Sequence, residues 1–408
     1  MRHLATLLVP FALLSAPVYA KTCQPKWVAG WASSQFLPTG DQVLAPATLA
    51  DKTLRQIVRS TIAGDRVRVR FSNLASTKPL IIAGASIAHA TNPASATIDP
   101  GTLISLRFDG KPDVIIPAGA DYLSDPVALP VQALASLAIS IRYQGDPAPT
   151  AHPGSRATSW YLPGDHLTDT AMAGAASFDH WFHLSAIEVE RCTPAKLVVA
   201  LGDSITDGRG ATTNGNDRWT DILAGRLQAD AKRRNTAVIN QGIGGNRLLN
   251  DGLGPNALAR LDRDVLAQPG VTHLILLEGI NDLGTLTRDA PASAAAHQAH
   301  VARIIGAYRQ IIARARGRGI KVIGATILPF TGNDYYHPDA QNEADRQAVN
   351  AWIRARGNFD GVIDFDAATR DPAHPDRLLP AYDVGDALHP SPQGYRAMGE
   401  AIPLSLFD

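Results

Sequence analysis

At Thr193-Pro194 the apolar residues of this chain change their period, and that switch calls for two kinds of packing in one polypeptide. Before it, Val67, Val69 and Phe71 alternate with Arg66, Arg68 and Arg70, and Leu137, Ile139, Ile141 and Tyr143 alternate in the same way. A period of two belongs to strands with one face buried, so this half is expected to be a β-sandwich. After the switch, the short apolar runs Leu197–Leu201, Ala237–Asn240, His273–Leu277, Lys321–Ile327 and Val362–Phe365 are separated by long stretches of helical period. Strands without polar alternation are buried on both faces, which calls for a parallel sheet between two layers of helices. In one of those helices Val301, Ile304, Ile305, Tyr308, Ile311, Ile312 and Ala315 form a single stripe ended by Gly317 and Gly319, which places Tyr308 in the core.

Within the first half, Ala63-Gly64-Asp65 separates two strand-like runs as a hairpin turn would, and Pro/Gly clusters at Pro117, Gly145–Pro149 and His152–Gly154 punctuate the rest. The arginines at 66, 68 and 70 read as a solvated outer sheet face rather than a ligand-binding strip.

A length of 408 residues exceeds one ordinary core and fits two domains, 21–192 and 193–408. Lys plus Arg and Asp plus Glu each total 38, so no global field favours nucleic acid or an anionic membrane. Residues 1–20 carry Arg2 and His3, an apolar run from Leu4 to Leu14 and small residues at Val18-Tyr19-Ala20, the pattern of a secretory signal; a secreted or periplasmic location is expected. No later run reaches the roughly 18–20 apolar residues a bilayer demands, so stable membrane insertion is not expected. The two cysteines, Cys23 and Cys192, allow one pairing in an oxidising compartment, and a disulfide is expected between them.

The chemistry lies at strand ends. Ser204, in GDSITDG (Gly202–Gly208), follows the first apolar run; Gly245, in NQGIGGN (Asn240–Asn246), follows the second; Asn281, in GIND (Gly279–Asp282), follows the third; Asp386 and His389, in DALH, lie beyond the fifth. In an open parallel sheet the loops leaving the carboxyl ends of the strands meet at one edge, where ligands bind. A hydroxyl nucleophile, an imidazole that takes and returns its proton, a carboxylate that orients the imidazole, and neutral donors for a developing oxyanion are the parts of acyl transfer. Ser204, His389 and Asp386 fill the first three roles; the N–H of Gly245 and the carboxamide of Asn281 fill the last.

Other candidates carry less. Asp371-Pro372-Ala373-His374 repeats the Asp-to-His spacing but sits among prolines. His297 and His300 occupy neighbouring helical turns without a third ligand at suitable spacing and are expected at the surface, so no metal is called for. Gly252–Ala257 loosely matches a dinucleotide fingerprint but follows no strand, and Pro255 spoils the helix entry. No Gly-x-Ser-x-Gly surrounds Ser204, which argues against the α/β-hydrolase elbow. The Tyr335-Tyr336-His337 loop leaves the same sheet edge and is a candidate wall of a substrate groove.

The four blocks, present and in order, resemble the SGNH hydrolases, also called GDSL esterases and lipases; Ile205 stands where the GDSL motif has leucine. More closely, Trp27, Trp31, GDSITDG, Arg218-Trp219, GIGGNRLL, LEGINDLG and GDALHPSPQGY resemble a two-module branch of arylesterases and acylhydrolases associated with plant-polysaccharide esterases. The resemblance implies a flavodoxin-like three-layer α/β/α hydrolase domain behind a jelly-roll-like β-sandwich, with the N–H of Ser204 joining Gly245 and Asn281 as an oxyanion donor. It also implies a cofactor-free serine esterase acting through an acyl-serine, with short acyl groups on carbohydrates as the leading substrate class. The alternatives are a lipase or thioesterase for longer chains, and a carbohydrate-binding protein whose catalytic half is merely structural.

Overall fold

The computed structural model describes residues 24–45, 47–147 and 149–408. The leader-like residues 1–20 and Cys23 lie outside them, and with Cys23 the expected bridge to Cys192.

Besides a small sheet of two strands, His180–Phe182 with Ala151–Pro153, residues up to Arg191 form two large antiparallel sheets. One has the order Lys26–Ala32, Leu184–Arg191, Arg66–Ser72, Asp121–Leu123; the other runs Ala176–Phe178, Ser159–Pro163, Lys52–Arg59, Ser136–Tyr143, Leu80–His89, Ile104–Ser105, with Val114–Ile116 also on Leu80–His89. The alternating side chains do what their period requires: Val67, Val69 and Phe71 are buried between the sheets with Leu137, Ile139 and Ile141.

Two expectations change. Ala63-Gly64-Asp65 is not a hairpin turn, because the strands on either side of it, Lys52–Arg59 and Arg66–Ser72, belong to different sheets. The segment carries the chain across the sandwich, pressed so closely on the neighbouring strand that a Cβ on Gly64 would lie 2.6 Å from Cβ of Val189. Nor are the arginines a freely solvated row: Arg66 pairs with Glu190 at 2.9 Å, Arg68 with the fully buried Glu188 at 2.6 Å, and Arg70 with the same Glu188. Arg68 also covers the ring of Trp27, 4.3 Å from its centroid. Acids directly opposite Arg66 and Arg68, the second shared with Arg70, turn a polar face into a ladder of ion pairs.

The second half is a five-stranded parallel sheet: β1 (Lys196–Gly202), β2 (Thr236–Gly242), β3 (Val271–Leu277), β4 (Lys321–Ala325) and β5 (Gly361–Ile363), in the order β2-β1-β3-β4-β5. This is the flavodoxin-like order, with its switch point between β1 and β3. The last two strands end earlier than the apolar runs predict; β5 stops where Asp364 caps a short helix, Phe365–Thr369, by accepting from the N–H of Ala367. The main helices are α1 (Ser204–Asp207), α2 (Trp219–Ala229), α3 (Ile280–Thr287), α4 (Ala294–Arg316), α5 (Ala340–Arg354) and α6 (Pro392–Ala401). Helices α2 and α6 pack together, and α3, α4 and α5 pack as a second group. The stripe of α4 is buried at Ile304, Tyr308, Ile311, Ile312 and Ala315, as its period requires.

The sandwich covers the free edge of this sheet. Strand Lys26–Ala32 lies along β2, and the Thr61 hydroxyl meets both backbone groups of Val238, accepting from its N–H at 3.0 Å and lying 2.8 Å from its carbonyl. An edge strand is thus hydrogen-bonded rather than exposed.

Candidate active site

Ser204 sits where β1 gives way to α1. Asp203 caps that turn, its Oδ1 accepting from the N–H of Ile205 at 2.9 Å. The turn lies so close to the end of β2 that a Cβ on Gly242 would come 2.3 Å from the backbone nitrogen of Asp207, so only glycine fits. Asn240 reaches over from β2 and donates to the carbonyl of Thr206 at 2.5 Å.

His389 comes from the far end of the chain. Asp383 accepts from the backbone N–H groups of Gly385, Asp386 and Ala387 and folds the loop. Asp386 then accepts from the N–H groups of Leu388 and His389 through Oδ1, and from Nδ1 of His389 through Oδ2 at 2.7 Å. Burial alone would raise the Asp386 pKa, but these hydrogen bonds and the nearby imidazole outweigh it and hold it at about 2. With Nδ1 spent as a donor to a carboxylate, Nε2 is free to accept, and it lies 2.9 Å from Oγ of Ser204. Ser391 caps α6 directly behind, accepting from the N–H of Gly394, and the helix opens with Pro392 as the sequence predicts.

Gly245 lies in the turn after β2 with φ of +65°, a conformation that favours glycine. Asn281 is the second residue of α3. Its Nδ2 donates to the carbonyl of Asn246 at 2.8 Å, and its Oδ1 accepts from the Tyr336 hydroxyl at 2.6 Å. Those two bonds fix which way the carboxamide faces and leave its second N–H for a ligand. Ser204, Gly245, Asn281 and His389 line one cavity of roughly 810 Å³.

A buried arginine braces this edge. Arg260 donates to Oδ1 of Asn246 at 2.7 Å, to the carbonyl of Gln241 at 2.6 Å and to the carbonyl of Gly202 at 2.9 Å, so one guanidinium ties the ends of β1 and β2 to the glycine turn. It also donates to buried Asp264 at 3.0 Å, and three further buried acids lie near this edge. Burial pushes Asp203 up to about 7, with Asp282 adding to the rise and Arg260 opposing it. Burial likewise raises Asp282 to about 6 against the pull of the Leu248 and Leu249 N–H groups, and raises Glu278 well above the carboxylate range.

Several residues enter the site that no motif indicated. Tyr336 was legible as a groove candidate, not as the partner of Asn281. The sandwich supplies Phe36, Pro153, Gly154 and Arg156 to the cavity wall. His152 reaches Asp207 at the end of α1, Nε2 to Oδ1, at 2.8 Å. The remaining candidates fall elsewhere. His374 is exposed in a turn. His297 and His300 are buried, not at the surface as expected; His297 pairs with Asp345 and His300 meets the carbonyl of Asp282, so the two rings bridge α4 to its neighbours. Among the described residues no group of three or more His, Cys, Asp or Glu is placed to hold a metal ion. No helix among them is long and apolar enough to cross a membrane.

Residues 200–397 match the model of the GDSL-like Lipase/Acylhydrolase family. Among solved structures, the chain is similar to an acetylxylan esterase from Geobacillus stearothermophilus, at 24% identity over 51% of this chain and 92% of that one, with a TM-score of 0.38. It is also similar to a GDSL-like lipase from Bacteroides thetaiotaomicron, at 21% identity over 52% and 87% of the two chains, with a TM-score of 0.37. No curated protein matches the chain. With these blocks gathered on one rim of a parallel sheet, the part of the chain that matches the GDSL-like lipase/acylhydrolase model has the site of a carboxylic ester hydrolase.

Proposed function

We propose that the protein is an exported serine esterase that removes short acyl groups, acetyl foremost, from carbohydrates. The observation that carries the reading is the unbroken line from Asp386 through His389 to Ser204, with contacts of 2.7 and 2.9 Å. Ser204 attacks the ester carbonyl while Nε2 of His389 takes its proton. The tetrahedral oxyanion lies against the N–H groups of Ser204 and Gly245 and the Nδ2 of Asn281. His389 then protonates the departing alcohol, and water releases the acid from the acyl-serine by the same steps in reverse.

A sugar alcohol is supported by the lining of the cavity, where Arg156, Arg209, Asp251 and Asp334 offer hydrogen-bonding groups and the half-exposed ring of Tyr335 offers a flat apolar face. Export is supported by the leader-like residues 1–20 and by two cysteines that would pair only in an oxidising compartment.

The test is a series of 4-nitrophenyl esters from acetate to decanoate, followed by release of acetate from acetylated polysaccharides. Rates should peak at the short end, and acetate should appear from a glycan. A peak at long chains would replace the reading with a lipase or thioesterase; glycan binding without hydrolysis would replace it with a binding protein.

A further inference from the structure

The turn that carries Ser204 is a single helical turn of four residues, too short to hold its own shape, since helices of that length are unstable alone. Its last residue, Asp207, is gripped twice. Arg218 donates Nε to its carbonyl at 2.7 Å and a terminal nitrogen to the carbonyl of Ser155 in the sandwich. His152, on strand Ala151–Pro153 of the sandwich, meets its carboxylate at 2.8 Å.

The second nitrogen of His152 decides the state of that ring. Nδ1 lies 2.8 Å from the backbone carbonyl of Ser34, which can only accept. With a carboxylate at one nitrogen and a carbonyl at the other, both nitrogens have to carry protons, and the ring is an imidazolium. It is almost wholly buried, with Phe36 and Trp181 against it. We infer that His152 is a positioning residue for the reaction at Ser204: the sandwich inserts a charged imidazole against Asp207, fixes the turn that presents the nucleophile, and so makes the two halves of the chain one catalytic unit. The inference rests on the reading of Ser204 as nucleophile.

The charged groups around the ring act in opposite directions. Burial pulls the His152 pKa down and Arg218 pulls it further; Asp207 and the Ser34 carbonyl push it up and prevail, leaving it above the ordinary imidazole value. When pH rises through that value the ring keeps one proton and satisfies one acceptor, so either Asp207 or Ser34 is released.

The test uses the full chain with His152→Gln and, because that variant is at risk of failing to fold, the isosteric Asp207→Asn. A positioning role should lower kcat on 4-nitrophenyl acetate about 10- to 100-fold, as expected when a reacting group is slightly misplaced. KM should stay within about twofold for His152→Gln, since His152 is not among the residues that line the cavity. Organophosphonate labelling of Ser204 should slow by the same factor, and the alkaline decline of wild-type kcat should be absent from the variants. In the wild type, imidazole nitrogen spectra should show both His152 nitrogens protonated at neutral pH, a measurement that needs no folded variant beyond the one used for assignment. Unchanged kcat in a folded variant, an unchanged alkaline decline, or a bare ring nitrogen at neutral pH would each overturn the inference. An inactive wild type would instead refute the esterase reading, so the two failures are distinguishable.

Discussion

Two histidine–aspartate pairs meet the two ends of the Ser204 turn: His389 with Asp386 at 2.7 Å, from the end of the chain, and His152 with Asp207 at 2.8 Å, reaching across from the sandwich. Each uses one ring nitrogen on a carboxylate. The difference is at the other nitrogen. His389 faces a hydroxyl, which can give or receive a proton; His152 faces a carbonyl, which can only receive. The same pair of residues therefore moves a proton in one place and holds one in the other, and its neighbour at the far nitrogen decides which.

The sharpest way to break that contrast is to treat the two histidines alike. His389→Gln should lower kcat on an aryl acetate about 10⁴- to 10⁶-fold, as losses of a nucleophile or its base do, and Ser204→Ala should match it without adding to it. His152→Gln should fall far short of that. Equal losses at the two positions, measured by steady-state kinetics on folded protein, would mean that His152 takes part in the chemistry. The aspartates offer a second cut: Asp386→Asn should cost about 10⁴-fold by stabilising the wrong tautomer of His389.

The contrast also marks what a sequence can reveal. Ser204, Gly245, Asn281 and His389 were legible because each follows a strand or precedes a capped helix, so local pattern plus the convergence of parallel strands brings them together. The partners that cross the molecule were not. His152, in the sandwich, and Asp207, at the end of α1, are 55 residues apart, as are Tyr336, in a loop, and Asn281, in α3, and no local period encodes which segment meets which. The misread turn at Ala63–Asp65 has the same origin, since a glycine turn between two strands looks identical whether they pair or part. The burial of His297 and His300 was hidden for a related reason: polar positions on a helix read as solvent-facing until a neighbour such as Asp345 covers them.

A middle-sized effect tests the oxyanion side. Asn281→Ala should lower kcat about 10²- to 10³-fold, the usual cost of one such donor. Tyr336→Phe removes only the hydroxyl that holds the Asn281 carboxamide, one hydrogen bond of about 0.5–1.5 kcal/mol, and should lower kcat several-fold, up to about tenfold, with KM little changed. If Tyr336→Phe were as damaging as Asn281→Ala, the hydroxyl itself would be the donor to the oxyanion.

The smallest effects separate the two pairs by pH, because their shifts have opposite signs. The His152 pKa is raised by its partners, so the stability the pair adds is fully present below the unfolded imidazole value and is lost as pH rises through the folded one. Asp386 is depressed to about 2, so its contribution is present above the ordinary aspartate value and is lost as pH falls toward that number. The melting-temperature gap between wild type and His152→Gln should therefore narrow on the alkaline side, and the gap for Asp386→Asn on the acid side. Asp386 is over a third exposed on its side chain, so solvent screening keeps its share small, and a change of about 2–4 °C per kcal/mol limits that gap to a few degrees. Melting curves at closely spaced pH values resolve such a difference. A gap for His152→Gln that instead widened with rising pH would show that the ring is neutral in the folded protein, and the distinction between a histidine that moves a proton and one that holds it would be lost.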